Sequence, residues 1–206
     1  MTPLVTSPWW KGSFIIQAIH NSSNQNTNNL ETITEGHIFY RYQDEEVYIN
    51  KLITFIKGGI ERKQHILIIE NMRTISKIKS KMDSMFSDEQ LQSIFLVNNF
   101  DYYLSSGDFN TKTILNYFQK DLSTIKKINA SVRTWAQVEW ASNEPDEELL
   151  KEFESSADDF VIEERMLSVC AYVSNRLSSN LNTVLEQSHK YIMTDDEFHL
   201  SSQYIE

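Results

Sequence analysis

Hydrophobic positions in this chain recur with two alternating periods, and each change of period marks an element. After Gly36, the run His37-Ile-Phe-Tyr-Arg-Tyr42 predicts a short aromatic strand. Asp44 is a candidate N-cap; Val47, Ile49, Leu52, Ile53 and Ile56 follow at helical spacing as far as Gly58-Gly59, a pair expected to stop the helix. His65 to Ile69 is a continuous apolar run, the signature of a strand buried on both faces. Helical spacing returns through Ile75, Ile78 and Met82 between Thr74 and Met85, and Ile94 to Val97 reads as the next strand. Asn110 is placed to cap a helix whose apolar face is Ile114, Leu115, Phe118, Leu122 and Ile125.

Val132 to Val138 gives another strand, and Pro145 falls early in an acidic helix running through Leu149, Leu150, Phe153, Ala157 and Phe160. Met166 to Val173 is a fifth strand; Leu177, Leu181, Val184 and Leu185 make a last helix, with His189 to Met193 extended beyond it. Strands alternating with helices imply βαβ units, a mainly parallel sheet and a three-layer α/β domain. Ahead of it, the Asn/Ser-rich stretch Asn21 to Asn29 cannot bury a core and reads as a linker. Residues 1–30 are therefore expected to be an extension, with Trp9, Trp10, Phe14 and Ile16 docking on the domain or on a partner, and 31–206 a single domain.

The formal net charge of −10 argues against nucleic acid or an anionic membrane as partner, because both demand clustered cations. Lys57, Arg62 and Lys63, like Lys126 and Lys127, read as solvated surface charges. One cysteine, Cys170, cannot form an internal disulfide, and no CxxC or Cys/His ligand spacing points to a structural zinc. No apolar run reaches the roughly 18 residues of a membrane span. A soluble cytoplasmic protein is expected, from a source whose Asn, Ile and Lys content fits low-GC bacteria.

Phe55 to Lys77 has the helix–turn–strand–helix order that leads into a phosphate loop in RecA- and KaiC-type ATPases. The segment Glu70 to Lys77 contains no glycine, whereas a phosphate cradle needs glycines so that successive N–H groups can converge on the anion. Glu70 would also set a negative charge beside a triphosphate. The expectation is an ATPase scaffold whose phosphate loop is lost.

An ordered set of residues accompanies this layout: Gly36-His37 and Tyr40; Phe55 to Ile60; Tyr102 or Tyr103; Ser106-Gly107-Asp108-Phe109; Arg133; Glu139-Trp140; Glu154; Cys170-Ala171-Tyr172; and His189. Across residues 35 to 195 this set resembles the MEDS family (methanogen/methylotroph, dichloromethane-regulator sensory domain), a degenerate relative of KaiC-like ATPases. Lys63-Gln64 departs from the Gly-Glu turn such a resemblance leads one to expect. The resemblance implies a RecA/KaiC-like fold and a signalling role with recognition of small, often hydrocarbon-like molecules. With no output domain attached, it implies a stand-alone regulator whose signal passes to a kinase, an anti-sigma factor or a transcription regulator.

Ligands of open parallel sheets bind at the carboxyl ends of the strands, where Glu70, Glu139, Trp140 and Tyr172 are candidates. Arg133 lies at the start of its strand and is less well placed. His37 reads as a hydrogen-bonded core histidine or a ligand-binding imidazole, and His189 as a cap for the preceding helix. Tyr40, Tyr102 and Tyr172 could line an amphipathic pocket. Cys170 reads as a buried hydrophobe, since no neighbouring base is visible in the sequence. No nucleophile elbow or HExxH occurs, so no catalytic residue, metal, cofactor or turnover is expected. The alternative is a vestigial nucleotide binder using Arg73 or Lys77; a homo-oligomer is left open.

Overall fold

The computed structural model describes residues 30–126, 131–142 and 145–205. The tryptophan-bearing extension, the Asn-rich stretch and Lys127 lie outside them. The elements run β1 (Gly36–Tyr42), α1 (Glu45–Glu61), β2 (His65–Glu70), α2 (Met72–Met85), α3 (Asp88–Leu91), β3 (Ile94–Asn98), α4 (Asn99–Tyr103) and α5 (Thr111–Lys126). They continue with β4 (Val132–Gln137), α6 (Glu147–Glu163), β5 (Leu167–Val173), a single 3-10 turn, α7 (Ser179–Gln187), β6 (Tyr191–Met193) and β7 (Phe198–Leu200).

The sheet order is β3-β2-β4-β5-β1-β6-β7, and every neighbouring pair is parallel except β6–β7. Side chains alternate across a strand, so each strand feeds two cores. Ile38, Ile66, Ile68 and Trp135 pack with Leu52 and Ile56 of α1 and Ile78 of α2 on one face. Phe39, Leu67, Ala136 and Cys170 pack with Leu122 of α5, Phe153 of α6 and Leu181 of α7 on the other. This is the expected three-layer, mainly parallel α/β architecture.

Local chemistry sets the helix starts. Asp44 accepts from the N–H groups of Glu46 and Val47, Asn71 from Thr74, and Asn110 from Thr113. Asp146 caps α6, so Pro145 precedes the helix, and Ser178 caps α7, which leaves Leu177 outside it.

The glycine pair corrects the sequence reading: α1 runs through Gly58 and Gly59 to Glu61. A Cβ on Gly59 would lie 2.8 Å from the Ile66 side chain and 3.0 Å from Cδ of Arg133. The glycine lets the helix lie close on the sheet, and the turn is made by Lys63, which takes a φ of 55°. Helices α3 and α4 and strand β7 are too short to have announced themselves by periodicity.

Candidate functional site

The α5–α7 face holds a buried polar cluster beneath α6. Strand β1 turns His37 and Phe39 toward that face, and β5 turns Cys170 and Tyr172 toward it. Helix α6 contributes Glu154 and Asp158, one turn apart, among the apolar positions Leu150, Phe153, Ala157 and Val161. His189 follows directly on Ser188, the C-cap of α7.

Donor atoms from His37, Glu154, Cys170 and His189 all lie within 4.8 Å of one another. His37 Nε2 is 3.2 Å from Cys170 Sγ and 3.6 Å from Glu154 Oε2, while His189 Nε2 is 3.4 Å from that same oxygen. The two imidazoles stack with centroids 3.9 Å apart. All four residues are at most 5% exposed.

Around this quartet the remaining valences are assigned. His189 Nδ1 is 2.7 Å from the Leu185 carbonyl, which can only accept, so Nδ1 carries the proton and Nε2 faces inward. This also caps α7 as the sequence predicts. Tyr172 donates its hydroxyl to Glu154 Oε1. His37 Nδ1 lies 3.4 Å from Asp158 Oδ1, and Tyr204 donates to Asp158 Oδ2 at 2.8 Å. Four atoms of this group, His37 Nδ1, Glu154 Oε2, Asp158 Oδ1 and His189 Nε2, are buried without a hydrogen-bond partner.

Burial alone would raise the Glu154 carboxyl, but the His189 and His37 imidazoles and the Tyr172 hydroxyl outweigh it and hold the group below its ordinary value. Burial, with His37 beside it, pushes His189 down. Burial also pushes the Cys170 thiol well up, and Glu154 and Asp158 add to this. Next to Cys170 the packing leaves a cavity of about 30 Å³, lined by Ile69, Tyr102, Ile114, Phe153, Ala157 and Cys170 itself. That is space for about two water-sized groups in an almost wholly apolar enclosure.

On the opposite face a second network sits at the strand ends. Glu70, wholly buried, accepts from the Tyr48 hydroxyl and from the backbone and side-chain N–H groups of Asn71. Trp135 donates to Tyr48 at 2.8 Å, and Asn71 and Asn99 both donate to Gln137 Oε1 at 3.0 Å. Burial pushes Glu70 up to about 7, against the pull of the Tyr48 hydrogen bond. This network closes on itself.

The loop joining β1 to α1, a second strand–loop–helix junction, also lacks glycine. The Asp195 carboxylate accepts from its Gln43 N–H at 2.9 Å, its Asp44 N–H at 3.0 Å and the Tyr40 hydroxyl at 2.9 Å. An anion from the protein itself occupies those amides.

The sequence candidates therefore divide. His37, Tyr172 and His189 meet in one cluster, and Tyr102 lines the adjoining cavity. Trp140 packs against Tyr172 at 6.1 Å, and Glu139 pairs with Arg176, whose guanidinium covers the Trp140 ring. Tyr40 and Glu70 belong to the other face. Arg133 is corrected outright: it lies at the far end of the sheet, donating to the Phe55 carbonyl at 3.0 Å and to Gln64 at 2.7 Å beneath α1. Arg73 and Lys77 approach Glu45 at the surface, Lys77 at 2.6 Å.

Two residues were undervalued. Cys170 does have a base beside it, His37, from a strand 133 positions earlier in the chain. The Cys/His arrangement dismissed on spacing is present in space. Glu154 and Asp158 could have been found from their place on the apolar stripe of α6, where a carboxylate is costly unless paired.

Residues 36–190 match the profile of the MEDS family, described as the methanogen/methylotroph, DcmR sensory domain. No curated protein matches the chain. Among solved structures, a KaiC-like protein from the hyperthermophilic archaeon Pyrococcus horikoshii OT3 aligns with a TM-score of 0.51 and 15% identity, covering 78% of this chain and 71% of that one. A second ATPase domain gives 0.50 and 10% identity over 78% and 69% of the two chains. The flagellar accessory protein FlaH from Methanocaldococcus jannaschii gives 0.49 and 10% identity over 79% and 72%. At these identities the likeness is one of fold: the chain has the RecA/KaiC-like architecture. Among the described residues no helix is long and apolar enough to cross a membrane.

Proposed function

The chain belongs to the MEDS sensory-domain family, and from that premise we propose that it is a non-catalytic cytoplasmic sensor that reports a small apolar ligand to a protein partner. The observation that carries this reading is the narrow apolar cavity abutting the Cys170 cluster under α6. An enclosure of about 30 Å³ admits a molecule of only a few heavy atoms unless α6 moves outward. Occupancy and the position of α6 would then be coupled. The same helix carries Glu148, Glu152, Asp159 and Glu163 on its exposed side. A kinase, anti-sigma factor or transcription regulator with a basic surface could read that face.

Two features support binding over nucleotide turnover. Neither the β1–α1 loop nor the segment after β2 has a glycine, so neither forms a phosphate cradle. Asp195 already satisfies the amides of the first, and Arg73 and Lys77 approach Glu45 rather than an open phosphate position.

A thermal-shift screen of short hydrocarbons and their derivatives against nucleotides with Mg²⁺ tests the reading. A ligand at 100 times its Kd adds about 2.7 kcal/mol of stability. The expected result is a rise in Tm with small apolar molecules, abolished in Ala157→Leu, which fills the cavity. A rise with nucleotide instead would return the protein to the vestigial ATPase class.

A further inference from the structure

We propose that His37, Glu154, Cys170 and His189 form a binding site for a divalent metal ion of the zinc class. The proposal stands apart from the apolar-ligand reading and rests on geometry. A tetrahedral ion with bonds of about 2.0–2.3 Å to nitrogen, oxygen and sulfur sets its ligand atoms about 3.3–3.7 Å from one another. Three edges among the donor atoms measure 3.2, 3.6 and 3.4 Å. The four donors come from β1, α6, β5 and the α7–β6 junction, so the centre is held by the fold and not by one flexible loop.

The inward atoms make the case stronger. His189 gives its Nδ1 proton to the Leu185 carbonyl and so presents a lone pair at Nε2. That lone pair faces Glu154 Oε2 at 3.4 Å, and neither atom has a hydrogen-bond partner. Two acceptors turned toward each other in a dry interior need a cation between them. Two neutral imidazoles, a carboxylate and a thiolate around a divalent ion sum to zero charge, which suits full burial. Binding displaces the Cys170 thiol proton to solvent.

The outer groups are those that orient metal ligands. Leu185 fixes the His189 tautomer, Tyr172 holds the other oxygen of Glu154, and Asp158 lies against His37 Nδ1 with Tyr204 behind it. A mixed nitrogen, sulfur and oxygen set favours zinc or a neighbouring transition metal over Mg²⁺ and Ca²⁺, which take oxygen ligands.

The test is titration of the full chain, chelator-treated and reduced, with Co²⁺ as the optical probe. Expected are one tightly bound equivalent, the visible absorption of a tetrahedral Co²⁺ centre, a near-ultraviolet sulfur-to-cobalt band, and loss of both on adding Zn²⁺. Cys170→Ser should remove the sulfur band. Tyr172→Phe retains the ring and the fold, and should weaken Co²⁺ binding about 10- to 100-fold, as loss of an orienting partner does. Far-ultraviolet circular dichroism of each variant separates lost ligation from lost fold. Absence of a tetrahedral spectrum in the folded parent protein would overturn the proposal. So would Co²⁺ binding that is unchanged in Cys170→Ser and Tyr172→Phe, since the ion would then sit elsewhere.

Discussion

Replacing Glu70 by Gln is expected to remove a pH dependence from the stability of the fold. Glu70 ends β2 with no exposed surface, and burial raises its carboxyl from 4.5 to about 7. A carboxyl whose folded value exceeds its unfolded one binds its proton more tightly in the native state. Its favourable contribution is complete below pH 4.5 and is lost as pH rises through about 7. At about 1.4 kcal/mol for each pH unit, that interval amounts to about 3 kcal/mol. The Gln variant keeps a side-chain oxygen for the two Asn71 donors, and its amide can donate to the Tyr48 hydroxyl. Any loss from that exchange is an offset that does not vary with pH. Urea unfolding of both proteins between pH 4.5 and 8 gives the difference directly. The His37–His189 cluster titrates on the opposite face of the sheet in both proteins and cancels. The variant should gain about 3 kcal/mol relative to the parent across that range. A difference that stays constant with pH would refute the account of Glu70 as a buried, raised carboxyl.

Two further outcomes concern the packing of α1 on the sheet. Gly59→Ala should destabilise the fold by about 1–3 kcal/mol in urea unfolding, because its Cβ would meet Ile66 at 2.8 Å. Helix propensity alone predicts a gain of about 1 kcal/mol, so the sign decides between close approach and a simple helix glycine. Arg133→Ala should cost about 3–5 kcal/mol, because Arg133 is almost wholly buried and its loss strands the Phe55 carbonyl and Gln64. Burial lowers the guanidinium only to about 10, so the charge persists at neutral pH. Co²⁺ affinity in that variant should match the parent's, since Arg133 lies at the opposite end of the sheet from Glu139.

The α/β alternation, the strand cores and the caps Asp44 and Asn110 could be read from the chain because each is fixed by neighbours within one or two turns. A strand buried on both faces must be apolar throughout, and an N-cap must present an oxygen to N–H groups two or three residues ahead. The place of Arg133 at the start of its strand was readable for the same reason. The glycine pair was not, because Gly59 answers to Ile66 and Arg133 across the layer and not to its own helix. The cluster of His37, Glu154, Cys170 and His189 lay further out of reach. Sequence placed each on its element and hinted at Glu154 through its apolar neighbours. Which of them meet depends on β1 threading between β5 and β6, with α6 lying over them. Local chemistry writes the elements into the chain; strand order and layer packing set which distant donors share a few ångströms of dry space.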